Sequence, residues 1–144
     1  MNGSPRIQPN GISAGSGQSR RDRILIVEDS RDVRDALAGT LESAGYDVTA
    51  VGSAREALDA LGEVQPALVI TDLHMPVMDG FKLRDEMKRG GAGDIPVIAL
   101  TGHGVLRQHA VRGGFAAALQ KPCDVGMLLS LVAHHCRRRE PARD

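Results

Sequence analysis

From Arg23 onward, short apolar runs and stretches of helical periodicity alternate five times, and that alternation admits few architectures. The runs are Ile24-Leu25-Ile26-Val27, residues 47 to 51, Ala67-Leu68-Val69-Ile70-Thr71, Pro96-Val97-Ile98-Ala99-Leu100 and, more weakly, residues 116 to 119. Continuous runs rich in β-branched residues, with little polar alternation, predict strands buried on both faces. Between them the apolar spacing becomes helical. Val33, Leu37, Leu41 and Ala44 are expected on one helix face until Gly45 stops it. Ser53, with Glu56 three residues on, reads as a capping box opening a helix over 54–61. Asp79 precedes a helix carrying Phe81, Leu83 and Met87, which Gly90-Gly91 terminates. A short helix over 105–112 lies between Gly104 and Gly113-Gly114 and is expected to be the least stable. The last helix runs from Val125 to about residue 137, with Leu128, Leu131 and Val132 inward.

Parallel strands need right-handed crossovers, so five successive βα units predict a sheet covered by helices on both faces. The expected fold is α/β: a flavodoxin-like (βα)5 three-layer sandwich with a five-stranded parallel sheet in the order 2-1-3-4-5. One domain is assigned to residues 22–138. Residues 1–21 are rich in Gly, Ser, Pro and Asn without hydrophobic periodicity and read as a disordered tail; 139–144 read as a short C-terminal tail.

Composition removes several function classes. The 18 basic and 18 acidic residues balance, so no global charge draws the chain to nucleic acid or to a membrane surface. Phe81, Phe115 and Tyr46 are the only aromatic residues, too few for a base-stacking platform. Cys123 and Cys136 have no paired metal-ligand spacing, and no apolar run reaches membrane-spanning length; a reduced, cytoplasmic protein is expected.

Ligands of open α/β sheets bind outside the carboxyl ends of the strands. There the first strand ends in Glu28-Asp29, the third in Asp72, the fourth in Thr101 and the fifth in Lys121-Pro122. Singly these are ordinary: a solvated acidic pair, a turn acid, a turn hydroxyl, an exposed lysine. In the 2-1-3-4-5 order, however, strands one and three are neighbours, so Asp29 and Asp72 should nearly face each other. Carboxylates that close repel unless a cation joins them, and an oxygen-only set at an open edge favours Mg²⁺.

With Glu28-Asp29, the stretch from Asp72 through Met75-Pro76 to Asp79-Gly80, Thr101-Gly102 and Lys121-Pro122 in this order, the chain resembles the receiver domain of two-component response regulators over residues 23 to about 137. The resemblance implies that Asp72 is a phosphoacceptor served by a histidine kinase or histidine phosphotransfer protein. It implies Mg²⁺ held by Asp29, Asp72 and the main-chain carbonyl of His74, with Glu28 acting through water. Thr101 and Lys121 would bind the phosphoryl group and be drawn toward Asp72, and the Lys121–Pro122 peptide would be cis. His74 and His103, each two residues after a site residue, occupy positions that border the phosphoryl group in that family and would tune its hydrolysis. The output would be binding to a downstream protein, with no direct nucleic-acid contact and no membrane. The face of the fourth helix, fifth strand and last helix is the expected switch surface, and homodimerisation through it is one such output. The stretch from Ala99 to Gly104 looks like receivers attached to hybrid sensor kinases, which fits a phosphorelay intermediate.

Two departures stand out. Ala118 occupies a position that usually holds Tyr or Phe in that family, and Phe115, three residues earlier, is expected on the opposite sheet face. Cys123 stands where an apolar residue usually follows Lys-Pro. His134 and His135, adjacent on a helix, diverge by about 100° and should not readily share a metal. With Arg137, Arg138 and Arg139 they read as a solvated basic helix end. Two other function classes compete: a phosphorylation-independent interaction module, and an aspartyl-phosphate phosphatase. The second usually carries an acid two residues after its nucleophile, where this chain has His74. A signalling phosphoprotein rather than an enzyme is the expectation.

Overall fold

The computed structural model describes residues 21–139 of the 144-residue chain. The expected terminal tails therefore fall outside the described residues, apart from Arg21 and Arg139. Strands β1 (Arg23–Val27), β2 (Asp47–Val51), β3 (Leu68–Asp72), β4 (Val97–Thr101) and β5 (Ala117–Gln120) alternate with helices α1 (Arg31–Ser43), α2 (Ala54–Val64), α3 (Gly80–Arg89), α4 (Gly104–Arg112) and α5 (Val125–Arg139). All strand pairs are parallel and the order is 2-1-3-4-5, as expected.

The two-residue period of the strands divides the core. Leu25, Val27, Val69, Val97, Ala99 and Ala118 face α2, α3 and α4, where Ala57, Leu83, Met87 and Ala110 meet them. Ile24, Ile26, Leu68, Ile70, Ile98 and Leu100 face the other way, onto Leu41 of α1 and Leu128, Val132 and Cys136 of α5. Each valine, leucine, isoleucine or methionine among them, fully withdrawn from water, contributes about 1.5–3 kcal/mol. This two-sided burial is what makes the strand runs apolar throughout.

Local chemistry closes the helices. Ser53 accepts the Glu56 N–H at 3.1 Å, and the Glu56 carboxylate accepts from Gly52 N–H at 2.8 Å, one residue before the N-cap. Asp79 caps α3 through Lys82 N–H at 2.9 Å. Gly45, at φ 101°, follows α1 while Tyr46 N–H returns to the Leu41 carbonyl, the Schellman pattern. By contrast, α4 is N-capped by His103 without a side-chain bond.

Several expectations need correction. Val33 is exposed and Ala44 lies beyond the end of α1; the inward stripe is Leu37, Ala38 and Leu41, with Arg34 half-buried beside it. Centring the stripe there turns Val33 roughly a quarter-turn away. Helix α2 runs three residues past Leu61, to Val64, ending on Gln65 at φ 49°. Strands β4 and β5 each begin and end one residue later than expected. Phe115 does not lie on the opposite face from Ala118. It precedes β5, so strand alternation does not govern it, and it is buried in the same cluster. Its ring meets Phe81 edge-on at 5.6 Å, under the Arg84 guanidinium at 5.7 Å. The rings of His134 and His135 also meet, edge to face at 5.0 Å, despite their diverging Cα–Cβ bonds.

Candidate functional site

Strand register brings the polar residues together. Val27 pairs with Thr71, so Glu28 and Asp72 come next along neighbouring strands; Asp72 pairs with Leu100, and Thr101 with Gln120, immediately before Lys121. Glu28, Asp72 and Thr101 are the strand-end groups withdrawn from water, at 2%, 7% and 0% exposure, and Asp29 is exposed beside them.

Lys121 joins the acids. Its Nζ lies 2.9 Å from Asp72 Oδ2 and 3.2 Å from Glu28 Oε1. The second oxygen of Glu28 accepts Ser30 N–H at 3.0 Å, and Asp72 Oδ1 accepts His74 N–H at 3.1 Å. The lysine therefore engages both carboxylates at once. Two buried anions leave it little alternative. The Lys121–Pro122 peptide is cis, as the resemblance implied.

The electrostatics of the site are strained in one direction. Burial, and then the Asp72 charge, push the Glu28 carboxyl above its ordinary value, although Ser30 N–H and Lys121 pull the other way. Burial disfavours the charge on Lys121, but hydrogen bonding to Asp72 and the charges of Asp72 and Glu28 together outweigh it and raise its pKa. Glu28, Asp29 and Asp72 each offer an oxygen within 4.8 Å of the others. An all-oxygen set with excess negative charge fits a hard cation such as Mg²⁺.

Thr101 has its hydroxyl oxygen engaged by His103 N–H at 3.1 Å, while its own O–H finds no acceptor among the described residues. A buried hydroxyl with a spare proton, on the same sheet edge as the Lys121 ammonium, can serve an incoming anion. His74 and His103 are both exposed, and their rings approach to 4.8 Å across the gap between the loops that follow β3 and β4.

Sequence reasoning quoted Gly80 only as part of a motif and did not single out Arg34, and the supporting roles of both went unread. A Cβ on Gly80 would stand 2.7 Å from the Asp72 carbonyl oxygen and about as close to Leu73, so only glycine lets α3 start against the strand end. Its place directly after a capping Asp79, as the first residue of α3, was the available signal. Arg34 donates from Nη1 to the Glu28 carbonyl at 2.9 Å, holding the acidic turn from α1; a lone arginine within an otherwise apolar helix face was the only hint.

A cavity of about 530 Å³ lies at the opposite edge of the sheet, between α2 and α3 beside Gln65 and Asp94, and contains none of these residues. No helix among the described residues is long and apolar enough to cross a membrane.

Comparison with known proteins points to one family. The family model of the response regulator receiver domain matches residues 24–133. An uncharacterised 14.6 kDa protein of Leptolyngbya boryana is 41% identical over 116 residues, 78% of this chain and 88% of its own. The response regulator protein FleR of Pseudomonas aeruginosa is 38% identical over 85% of this chain, which spans 26% of that protein's length. Among solved structures, a response regulator receiver domain protein from Clostridium thermocellum superposes with a TM-score of 0.76 at 29% identity, covering 82% of this chain and 96% of the other.

Proposed function

The chain belongs to the response regulator receiver domain family, and we propose that it acts as a phosphoacceptor, taking a phosphoryl group on Asp72 from a phosphohistidine of a histidine kinase or phosphotransfer protein. The observation that carries this reading is the Lys121 bridge. One ammonium spans Asp72 and Glu28 at 2.9 and 3.2 Å, with Asp29 beside them and a spare Thr101 hydroxyl at the same sheet edge.

Asp29, Asp72 and the main-chain carbonyl of His74 would hold Mg²⁺, with Glu28 acting through water. The bound ion supplies positive charge to the transferring phosphoryl group and offsets the repulsion among the carboxylates. An Asp72 oxygen attacks phosphorus in line while the nitrogen–phosphorus bond breaks, and the departing imidazole keeps the bonding electrons and takes a proton. Lys121 turns its donors from the Asp72 carboxylate to the phosphoryl oxygens, and the Thr101 hydroxyl donates to another. Rearrangement of the Thr101 and Lys121 loops would then be read by a downstream protein, in the cytoplasm, at the face formed by α4, β5 and α5. Homodimerisation through that face is one form of that output.

Intact mass after incubation with Mg²⁺ and acetyl phosphate tests the reading. A single Mg²⁺-dependent phosphoryl adduct, absent from Asp72→Asn, is the expected result. No adduct together with no Mg²⁺ binding would replace it with a phosphorylation-independent interaction module.

A further inference from the structure

Two exposed imidazoles, carried by different loops and held over the same site, take no part in the phosphoryl chemistry's charge balance. We infer that His74 and His103 form a second cation site, selective for a borderline transition-metal ion such as Zn²⁺, Ni²⁺ or Cu²⁺, at the mouth of the pocket that takes Mg²⁺.

Three observations support the assignment. The ring centroids are 4.8 Å apart with planes tilted by 59°, which is not a face-to-face stack. Metal–nitrogen bonds of about 2.0–2.1 Å at tetrahedral or octahedral angles put two imidazole centroids about 4.5–5.2 Å apart. The backbones are also fixed in advance: His74 N–H is held by Asp72 Oδ1 and His103 N–H by Thr101 Oγ1, both at 3.1 Å. Among the described residues neither imidazole makes a hydrogen bond or ion pair, so both nitrogens of each ring remain available for ligation or water.

The ligand chemistry separates this site from its neighbour. Carboxylate oxygens suit Mg²⁺, whereas imidazole suits zinc, nickel and copper, with affinity rising from nickel to copper and falling again at zinc. His134 and His135 also approach, at 5.0 Å, but edge to face at 86° and from one helix turn, so the edge of one ring occupies the face of the other. The His74 and His103 pair instead spans two loops, and an ion between them would tie the segment after β3 to the segment after β4.

Zn²⁺ titration of the full chain, followed by calorimetry and by histidine ring resonances in NMR, decides the matter. The expected result is one site whose binding shifts the rings of His74 and His103. Affinity should fall tenfold or more in His103→Ala and stay within about threefold in Asp29→Asn, which loses Mg²⁺ affinity. Affinity unchanged in His103→Ala, affinity lost in Asp29→Asn, or shifts confined to His109, His134 and His135 would each overturn the assignment. None of these readouts requires phosphorylation, so they stand or fall separately from the phosphoacceptor reading.

Discussion

Lys121 Nζ lies 2.9 Å from Asp72 Oδ2, the residue at the end of β3 being met from the residue just past β5, 49 positions on in the chain. The contact spans β4 and serves as the site's internal counter-ion. Glu28 and Asp72 are both largely withdrawn from water, so removing the ammonium leaves two carboxylates with a repulsion that water screens poorly.

Lys121→Ala should therefore destabilise the metal-free protein by about 1–3 kcal/mol, the usual cost of leaving buried polar groups without a partner. Mg²⁺ should stabilise the variant more than the parent, since it takes over the neutralising role. Thermal unfolding followed by circular dichroism, with and without Mg²⁺, measures both effects. Equal Mg²⁺ stabilisation of the two proteins would show that the lysine is not the counter-ion.

Gly80→Ala places a Cβ 2.7 Å from the Asp72 carbonyl oxygen, and backbone rather than a flexible side chain must yield. Forcing an extra methyl into such a contact costs about 1–3 kcal/mol. Because the displaced atoms belong to Asp72 and Leu73, adduct formation from acetyl phosphate should slow as well. Urea unfolding and the rate of mass gain test the two halves; a variant as stable as the parent would mean that α3 slides away without strain.

The layout of the fold could be read from sequence because two-sided burial writes itself as uninterrupted apolar runs, and Gly45, Ser53 and Asp79 mark the helix ends by chemistry that acts locally. Glu28, Asp29, Asp72, Thr101 and Lys121 were legible because each follows a recognisable strand. What sequence did not disclose depends on three-dimensional proximity. The closeness of Gly80 to Asp72 arises from the loop folding back. The site of Phe115 is set by Phe81 and Arg84 on α3 rather than by the alternation of β5. The inward turn of α1 onto Arg34 reflects a bond to the Glu28 carbonyl that periodicity cannot express.

Acidification should weaken Mg²⁺ binding. Burial first, and the Asp72 charge next, disfavour the Glu28 anion and push its carboxyl above the ordinary carboxylate value of 4.5. Between 4.5 and that raised value the folded state holds a proton that the unfolded state has lost, so the metal-free fold loses stability as pH rises through this window. Mg²⁺ favours the ionised acid, so binding in this window should release protons and grow tighter with rising pH. Calorimetry in buffers of different ionisation enthalpy at about pH 5 and about pH 7.5 counts the protons. Glu28→Gln should release fewer at the lower pH, and an unchanged count would assign the effect to another group.

Val77 sits at φ 72°, fully exposed, in the loop between Asp72 and α3. A β-branched residue in the left-handed region crowds its own backbone, at a cost of about 1–2 kcal/mol. The flanking Met75 and Met78 pack against the core, which holds the loop in that shape. Val77→Gly should therefore raise stability by roughly 1 kcal/mol after the entropy of the more flexible unfolded chain is counted. Urea unfolding gives the answer directly, and a loss of stability would mean that the Val77 side chain supports the loop.

The rings of His74 and His103 bridge the two loops that flank Asp72 and Thr101, and each residue's N–H is tied to one of those side chains. A water attacking a phosphoryl group on Asp72 must approach from solvent, past this exposed pair. Replacing both histidines with alanine removes the bulk while leaving both N–H donors in place, so the phosphorylated protein should lose its adduct several-fold faster, in Mg²⁺ and with transition metals chelated. Time-resolved intact mass after removal of acetyl phosphate records the decay. An unchanged rate would place the barrier to hydrolysis in the acidic cluster and Lys121 alone, and a slower rate would mean that the imidazoles orient the attacking water rather than obstruct it.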